Sequence, residues 1–245
     1  MPAPKPDNAH GSVLVLGASR GIGRAISARL LQDGYQVIGV ARSIEQTPLD
    51  HPRFTPYALD LADMTALPDA LKKLQRAQAD IEHLICCAGR GHFGSLEEFS
   101  YQQIRSLMDL NFLSHAWAAK SFIPLMKQRG RGHLVFIGSE AALAGKKKGA
   151  IYCASKFALR GLAQALREEC AGSGVGVTLI NPGMVRTGFF NGLGIAPGEQ
   201  DSQAILPEEV AAAVVWVLAN RAGAVIDEIN LSPLQHQIRF TADRK

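Results

Sequence analysis

Three glycines near the start of the chain constrain its fold more than any other feature. Residues 13–16 form an apolar run with β-branched side chains, which is typical of a buried parallel strand. Gly17, Gly21 and Gly23 follow, and residues 24–31 then read as a helix. Glycines at such a turn allow a tight bend, close approach of the backbone to a pyrophosphate and tight helix–strand packing. The stretch therefore predicts a dinucleotide site, with phosphates bound by the free N–H groups at the helix start.

The end of the second predicted strand indicates which dinucleotide is bound. Residues 35–41 read as a strand that is followed by Arg42, about 20 residues beyond the last glycine, where an acidic side chain would bind the ribose 2′-hydroxyl of NAD. The chain has no carboxylate there and offers Arg42, with Arg20 as a second cation in the glycine loop. Guanidinium groups match phosphate geometry, so we expect NADP(H) rather than NAD(H). The alternative is that Arg42 is a solvated loop cation.

A second motif supplies candidate acid–base groups. The predicted strand at residues 133–138 delivers Ser139 to its carboxyl end, where open α/β sheets bind their ligands. The predicted helix at residues 150–171 carries Tyr152 and Lys156 four residues apart, and therefore on one face. A tyrosine has a reference pKa of about 10. We expect the ammonium of Lys156 to favour the phenolate and to lower the pKa of Tyr152 toward the working range.

Taken together, these motifs resemble a classical short-chain dehydrogenase/reductase, from about residue 11 to residue 234. Asp60, Asn111 and the turn that begins at Pro182 match further motifs of that family. The resemblance implies that Tyr152 is the general acid or base in the interconversion of a carbonyl and an alcohol. Lys156 would bind the nicotinamide ribose, and Asn111 would hold a water that relays protons to it. Residues 182–187 would hold the nicotinamide ring.

The expected site residues fall into two sets. The catalytic set comprises Asn111, Ser139, Tyr152 and Lys156. The residues expected to hold the cofactor are Gly17, Ser19, Arg20, Gly21, Ile22, Gly23, Arg42, Asp60, Leu61, Cys87, Ala88, Gly89, Tyr152, Lys156, Pro182, Gly183, Val185 and Thr187. No metal ligands are expected.

Strand and helix patterns alternate along the chain, which predicts an α/β fold. We expect a single Rossmann-type domain over residues 11–245, with a doubly wound parallel sheet and helices on both faces, after a disordered leader at residues 1–10. A chain of 245 residues that is 47% hydrophobic suits one such domain. Two long helices, at residues 98–127 and 150–171, would form the dimer face of the family, which predicts a homodimer or homotetramer. A last strand is expected to begin at residue 224.

Composition restricts the location and the partners. The sequence has no apolar run long enough to span a membrane and no secretory signal. Its four cysteines follow neither zinc nor disulfide spacing, which favours a reducing, cytoplasmic location. The net charge of +4 is mild, and no basic stripe with interleaved aromatic residues indicates nucleic-acid binding.

Three segments leave alternatives open. Cys86 and Cys87 stand where the family often has asparagines, and each is either a small buried hydrophobe or a reactive thiol. Residues 188–199 are glycine-rich and either cover the substrate or pack on their own domain. The basic run at residues 146–148 is either a solvated loop or a means of attracting an anionic substrate.

The residues fit two functions. The first is an NADP(H)-dependent reductase or dehydrogenase acting on a small-molecule carbonyl or secondary alcohol. A 3-oxoacyl, 3-hydroxy acid or 3-ketosphinganine-like compound is one substrate lead, from the sequence at residues 155–166. The second is an NADP(H)-binding redox sensor or regulatory protein. Relatives of that kind usually lack a catalytic residue that this chain has.

Overall fold

Seven parallel strands form the central sheet of the computed structural model, which describes residues 11–221 and 223–241. The strands of this sheet are β1 Ser12–Leu16, β2 Gln36–Ala41, β3 Phe54–Ala58, β4 Ile81–Cys86, β5 Gly132–Ile137, β6 Val175–Pro182 and β8 Glu228–Leu231. Their spatial order is β3-β2-β1-β4-β5-β6-β8, so the chain reverses direction across the sheet between β1 and β4. A crevice at such a reversal is where open α/β sheets bind ligands. The predicted leader at residues 1–10 lies outside the described residues.

Helices cover both faces of the sheet. They are α1 Gly21–Gln32, α2 Leu67–Ala77, α3 Tyr101–Met108, α4 Ser114–Arg129, α5 Ala150–Ala171 and α6 Pro207–Leu218. Helices α2, α4 and α5 pack into one core cluster with Leu14 and Leu16, whereas α1 and α6 pack into a second with Val13 and Val15. Alternate residues of β1 therefore serve opposite cores, and all five are buried. The predicted doubly wound parallel sheet is confirmed.

The first long helix differs from its prediction. The structure divides residues 101–129 into α3, a π-helical turn at Asp109–Leu113 and α4. Ser100 starts α3 by accepting a hydrogen bond from the Gln103 backbone, and the Gln103 side chain accepts one in return. A π turn inserts one extra residue into a helix, so an apolar period read across it cannot reveal the break. The second long helix, α5, has the bounds that the sequence predicted.

Two further differences concern the end of the chain. The last strand of the main sheet begins at Glu228, not at residue 224, and pairs with the end of β6. In addition, β7 Ile195–Pro197 pairs with β9 Ile238–Phe240 as a small antiparallel sheet. The glycine-rich segment is thus tied to residues more than forty positions later in the sequence. No local pattern indicated this pairing.

Candidate active site

The crevice between β1 and β4 opens into a cleft of about 1150 Å³ at the carboxyl ends of the strands. Every residue predicted to bind the cofactor, from Gly17 to Thr187, lines this cleft, and so does Ser139. Asn111 is the exception, since it is fully buried behind the cleft wall. The structure therefore brings together all the predicted site residues except one, which supports the wall from behind.

The glycine loop packs so closely on its neighbours that two of its positions have no room for a side chain. Gly17 has φ +88°, and a Cβ there would lie 2.8 Å from the backbone of Ala88. A Cβ on Gly23 would overlap the carbonyl oxygen of Gly17. Side chains are excluded at both positions because the turn after β1 packs directly on the backbone after β4 and on the start of α1. This fits the close backbone approach that a pyrophosphate requires.

The start of α1 suits an anionic ligand. The helix begins at Gly21 without a side-chain cap and without an acidic residue in its first turn. Its first N–H groups therefore remain open to a ligand, at the positive end of the helix dipole. The donors, the glycine cradle and the size of the cleft fit a dinucleotide.

Two arginines line the cleft, one directly after β2 and one in the glycine loop. The Arg42 side chain is 72% exposed, and its Nη1 lies 4.0 Å from Oδ2 of Asp60. The other carboxylate oxygen of Asp60 accepts a hydrogen bond from the Ala62 backbone at 2.9 Å. A loose, exposed ion pair of this kind contributes little energy, so Arg42 can turn to a ligand at small cost. Arg20, in the glycine loop, also lines the cleft.

Tyr152 lies in a pocket of aromatic rings. It is 8% exposed, with ring centroids 5.2 Å from Phe93 and 6.0 Å from Phe189. Burial raises the pKa of Tyr152 to about 12, while a hydrogen bond from the Ser139 hydroxyl lowers it. Desolvation of the phenolate is the largest influence on this pKa and raises it, so the expected shift of the Tyr152 pKa toward neutrality is wrong for this structure.

Lys156 is held below the tyrosine. Its Nζ donates to the carbonyl oxygen of Ile137 at 3.0 Å and lies 5.9 Å from the centroid of the Tyr152 ring. Burial lowers the pKa of Lys156 to about 8, since the apolar surroundings disfavour the ammonium, and the Cys87 thiolate would raise it. The amine is therefore fixed at the floor of the cleft, between β5 and the tyrosine.

Asn111 lies in the π turn and links two elements behind the site. Its Oδ1 accepts from the backbone N–H of Arg90 at 3.0 Å, and its Nδ2 donates to the carbonyl oxygen of Arg90 and to Oγ of Ser155. Ser155 in turn donates to the carbonyl oxygen of Tyr152 at 2.7 Å. Asn111 therefore positions the backbone beside Gly89 and the first turns of α5.

Asn181 is a positioning residue that sequence reasoning missed. Its Oδ1 accepts from the backbone N–H of Ser139 at 3.3 Å, while its Nδ2 donates to the side chains of Glu228 and Asn230 on β8. Glu228 also pairs with Arg160 of α5 at 3.1 Å. This network, in which Asn181 is buried, ties β6, β8 and α5 to Ser139. The only sequence signal was an asparagine before the Pro182 turn, and its partners lie far along the chain.

The outer wall also contains residues that were not predicted. Ile238 and Phe240 line the cleft because β9 pairs with β7, and Arg90 lines it at the end of β4. Pairing between distant segments decides these positions, so a local reading could not find them.

The two adjacent cysteines behave as apolar groups. Cys86 is fully buried, and burial raises the pKa of the Cys87 thiol to about 12 although Lys156 acts in the other direction. A thiol with so high a pKa is a poor nucleophile. The structure therefore favours the buried-hydrophobe interpretation over the reactive thiol.

Comparison with known proteins places the chain in a family. The model of the short chain dehydrogenase family matches residues 11–196. The chain belongs to this family. It is 28% identical to an uncharacterized oxidoreductase of Staphylococcus aureus (strain USA300), over 90% of this chain and 96% of that protein. Oxidoreductase chemistry follows from this membership.

Solved structures show the same likeness. A serine dehydrogenase from Escherichia coli has a TM-score of 0.77 at 28% identity, covering 90% of this chain and 96% of that one. An alcohol dehydrogenase from the archaeon Thermococcus sibiricus, complexed with 5-hydroxy-NADP, has a TM-score of 0.80 at 26% identity, covering 93% and 98%. These proteins share the fold of this chain along nearly their whole length.

Other site types find no support in the described parts of the chain. Within residues 11–221 and 223–241, no group of three or more His, Cys, Asp or Glu side chains is placed to hold a metal ion. No helix in the same ranges is both long and apolar enough to cross a bilayer.

Proposed function

We propose that the protein is an NADP(H)-dependent oxidoreductase that interconverts a carbonyl compound and a secondary alcohol. The observation that carries this proposal is the position of Tyr152, between Ser139 and Lys156, on the floor of a dinucleotide-sized cleft. A phenol, a hydroxyl and an amine converge there where an open α/β sheet presents its ligand.

In this proposal Tyr152 handles the proton. Because its pKa is about 12, the phenol is protonated at neutral pH and can donate to a carbonyl oxygen as negative charge develops there. Ser139, already hydrogen-bonded to that phenol, orients the same oxygen and stabilises the charge. A bound nicotinamide supplies or accepts the hydride.

Lys156 and Asn111 support this chemistry. Lys156, fixed by Ile137, would hydrogen-bond the nicotinamide ribose and stabilise the phenolate left after proton donation. Asn111 holds the backbone of Arg90, which borders the cleft. Its water-mediated relay to Lys156 stays a prediction.

The preference for NADP(H) is supported by Arg42 and Arg20. Both line the cleft, Arg42 directly after β2 and Arg20 at the start of α1, and the carboxylate of Asp60 is already engaged with the Ala62 backbone. The Thermococcus sibiricus relative was solved with an NADP derivative. A 2′-phosphate between the two guanidinium groups would replace the loose pair of Arg42 with Asp60.

The cofactor proposal is tested by titrating NADPH and NADH into wild-type protein and into Arg42→Asp, with nicotinamide fluorescence as the readout. We expect wild-type protein to prefer NADPH and the variant to lose that preference, because a carboxylate repels the 2′-phosphate. Arg76→Asp, on the exposed side of α2, makes the same charge change away from the cleft and should bind like wild type. Equal affinity of wild-type protein for both cofactors would contradict the role of Arg42.

The mechanism is tested by Tyr152→Phe. We expect kcat for carbonyl reduction to fall by about 10³-fold or more, with NADPH affinity and melting temperature nearly unchanged. Tyr101→Phe, at a 93% exposed tyrosine on α3, is the matched control. If wild-type protein binds NADPH tightly but reduces no carbonyl compound, the redox-sensor function replaces this one.

The assembly and location of the protein stay predictions. A homodimer or homotetramer through α4 and α5 is expected from the family resemblance, and sedimentation or light scattering would measure it. The cysteines in the described ranges carry free thiols, in keeping with the expected cytoplasmic location. A 3-oxoacyl or 3-hydroxy acid substrate also stays a prediction.

A further inference from the structure

Three consecutive lysines line the cleft that also contains Tyr152. Lys146, Lys147 and Lys148 are exposed and stand on the segment just before α5, which carries Tyr152. Within residues 11–221 and 223–241, none of the three ammonium groups lies within 4.0 Å of a carboxylate, and none donates a side-chain hydrogen bond. Three unneutralised positive charges at the mouth of a cleft create a strong local attraction for anions.

The carboxylates of the same cleft wall are engaged elsewhere. Glu98 accepts a hydrogen bond from the backbone of Ser95, and the Glu140 carboxylate lies 3.9 Å from Nδ1 of His236. A Cβ added to Gly183 would lie 3.3 Å from Glu140, which places that carboxylate beside the Pro182 turn. Arg90 adds a further cation to the cleft and donates to the hydroxyl of Ser106. In the described ranges neither Glu98 nor Glu140 forms a salt bridge with the three lysines, so the lysine charges stay available to a ligand.

Lys148 adopts a backbone conformation that lysine disfavours. Its φ is +59°, and it is the one non-glycine residue with positive φ in the described ranges. Its carbonyl oxygen accepts a hydrogen bond from Gly94 at 2.8 Å, which fixes the segment against the loop that carries Phe93. A non-glycine residue in the left-handed region costs about 1 kcal/mol, and such strain concentrates at functional sites. Glycine would be less strained here, so Lys148 is the position at which ligand binding and folding can be separated by one substitution.

The lining of the cleft also includes apolar side chains. Phe93 and Phe189 flank Tyr152, and Phe189 packs on Phe190 with ring centroids 5.1 Å apart. Ile238 and Phe240 extend this surface from β9. A ligand that contacts both the lysines and these apolar side chains has an apolar chain and an anionic end.

We propose that Lys146, Lys147 and Lys148 bind an anionic oxygen group of the substrate, a carboxylate or a phosphate, which an apolar chain joins to the carbonyl that Tyr152 protonates. The proposal rests on the proposed function, because it assigns the substrate class of that site. Lys148, the closest of the three in sequence to α5, is the central contact. Exposed ion pairs are weak singly, so the three lysines together should strengthen binding about tenfold at low salt.

The kinetic test compares oxo acids with their methyl esters, which differ only in the charge. With NADPH, wild-type protein should show a KM about tenfold lower for 5- or 7-oxooctanoate than for the matching ester, and salt should erase the difference. Replacing all three lysines by glutamine should remove the preference and leave kcat/KM for the esters unchanged. Equal KM values for acid and ester in wild-type protein would overturn the proposal.

A binding test decides the proposal even if no carbonyl is turned over. Octanoate and octyl phosphate, with octanol as the uncharged control, are titrated into the protein saturated with NADP, with calorimetry as the readout. The anions should bind about tenfold more weakly to the triple glutamine variant, and octanol should bind equally to both. The anion that binds more tightly shows whether the substrate carries a carboxylate or a phosphate. Absence of anion preference in wild-type protein overturns the proposal, whereas anion binding without turnover contradicts only the proposed reaction.

Lys148→Gly separates ligand binding from folding. Glycine relieves the positive φ, so the variant should melt at an equal or higher temperature while its octanoate affinity falls. If affinity and melting temperature both stay at wild-type values, Lys148 binds no anion. Lys73→Gln, on an exposed position of α2, is the control and should change neither. The affinity for NADPH should be the same in every variant, and a parallel loss of it would assign the lysines to the cofactor.

Discussion

The two ends of the central sheet both bury titratable side chains, but the cleft of about 1150 Å³ lies at the carboxyl (open) end and not at the amino (closed) end. At that end lie Tyr152 and Lys156, with pKa values of about 12 and 8. At the amino end, His83 and His133 are opposite each other on β4 and β5. Burial lowers both of their pKa values to about 4, and the charge of His133 lowers that of His83 further. One physical cause, desolvation, thus shifts all four groups toward their neutral forms.

The difference lies in what surrounds the neutral groups. The Tyr152 phenol can be reached from the cleft and has Ser139 as a hydrogen-bond partner, so its proton can be used. His83 packs against Tyr35, and its Nδ1 has no hydrogen-bond partner. Perturbed pKa values alone therefore do not mark a catalytic site, because the same shifts at the closed end affect stability only.

The largest effect on stability and cofactor binding is expected at the glycine loop, which lies at the open end of the sheet. Gly23→Ala should destabilise the fold by about 3 kcal/mol and abolish NADPH binding, because the new methyl group overlaps the Gly17 carbonyl. Denaturant unfolding and cofactor titration measure the two effects. If the variant binds NADPH normally, α1 can shift to make room for the methyl group, and the close packing at Gly23 is not required for cofactor binding.

The second effect sharpens the catalytic side of the comparison. Ser139→Ala should lower kcat by about a hundredfold, because a donor to the developing oxyanion is lost. The hydroxyl lowers the pKa of Tyr152, so its removal should also move the rise of alcohol oxidation with pH to more alkaline values. Ser139→Thr, which retains the hydroxyl, should recover part of both properties. An unchanged pH profile in Ser139→Ala would separate this hydroxyl from the tyrosine.

The third effect concerns the closed end and acid stability. His83 is neutral in the folded protein until the pH approaches 4, whereas the unfolded chain takes up its proton near 6.5. Stability from this group is thus complete above pH 6.5 and is lost as the pH falls toward 4, by about 3 kcal/mol. His83→Leu should flatten that part of the stability curve, measured by urea unfolding at several pH values.

A control keeps this test specific. His51→Gln removes a histidine on a surface turn without touching the sheet and should leave the slope as in wild type. His115, buried behind the cleft with a pKa lowered to about 4, contributes in the same direction and remains in both variants. If His83→Leu loses stability with acid as steeply as wild-type protein does, His83 is not a source of the pH dependence.

The smallest effect separates space from backbone conformation at the closed end. Gly130 and Gly172 both have room for a methyl group, but Gly130 has φ +66° whereas Gly172 has φ −64°. Gly172→Ala should therefore stabilise the protein by about 0.5 kcal/mol, and Gly130→Ala should destabilise it by about 1 kcal/mol. Thermal unfolding of both variants measures the pair. Shifts of the same sign would mean that backbone conformation does not decide at these turns.

Much of the fold was predictable because the signals are local. The strand, glycine turn and helix at residues 12–32 are contiguous, and α5 carries its Tyr152 and Lys156 at a fixed helical spacing. The residues that hold Ser139 in place were not predictable. Asn181 acts through Glu228, which lies on a strand that the sequence placed with the wrong start. These contacts form only when β6, β8 and α5 come together in the folded protein.

The chemistry of the site was less predictable than its residues. A sequence shows that Lys156 lies one turn from Tyr152, but it does not show how far each is removed from water. Burial decides both pKa values, and it opposes the effect expected from the lysine charge. Likewise, β9 follows the last motif of the sequence, and its place beside β7 in the cleft wall depends on pairing between distant segments.

The π turn at Asp109–Leu113 sets the orientation of everything that follows it in α4. An α-helix rotates by about 100° per residue, so one residue more or fewer in this turn would swing the inward side of α4 by that angle. His115 and Phe122, which now face the interior, would then point along its flank. A substitution within the turn changes one contact, whereas a deletion re-aims a whole helix. Segment length at residues 109–113 is therefore less free to vary than the identity of most residues within it.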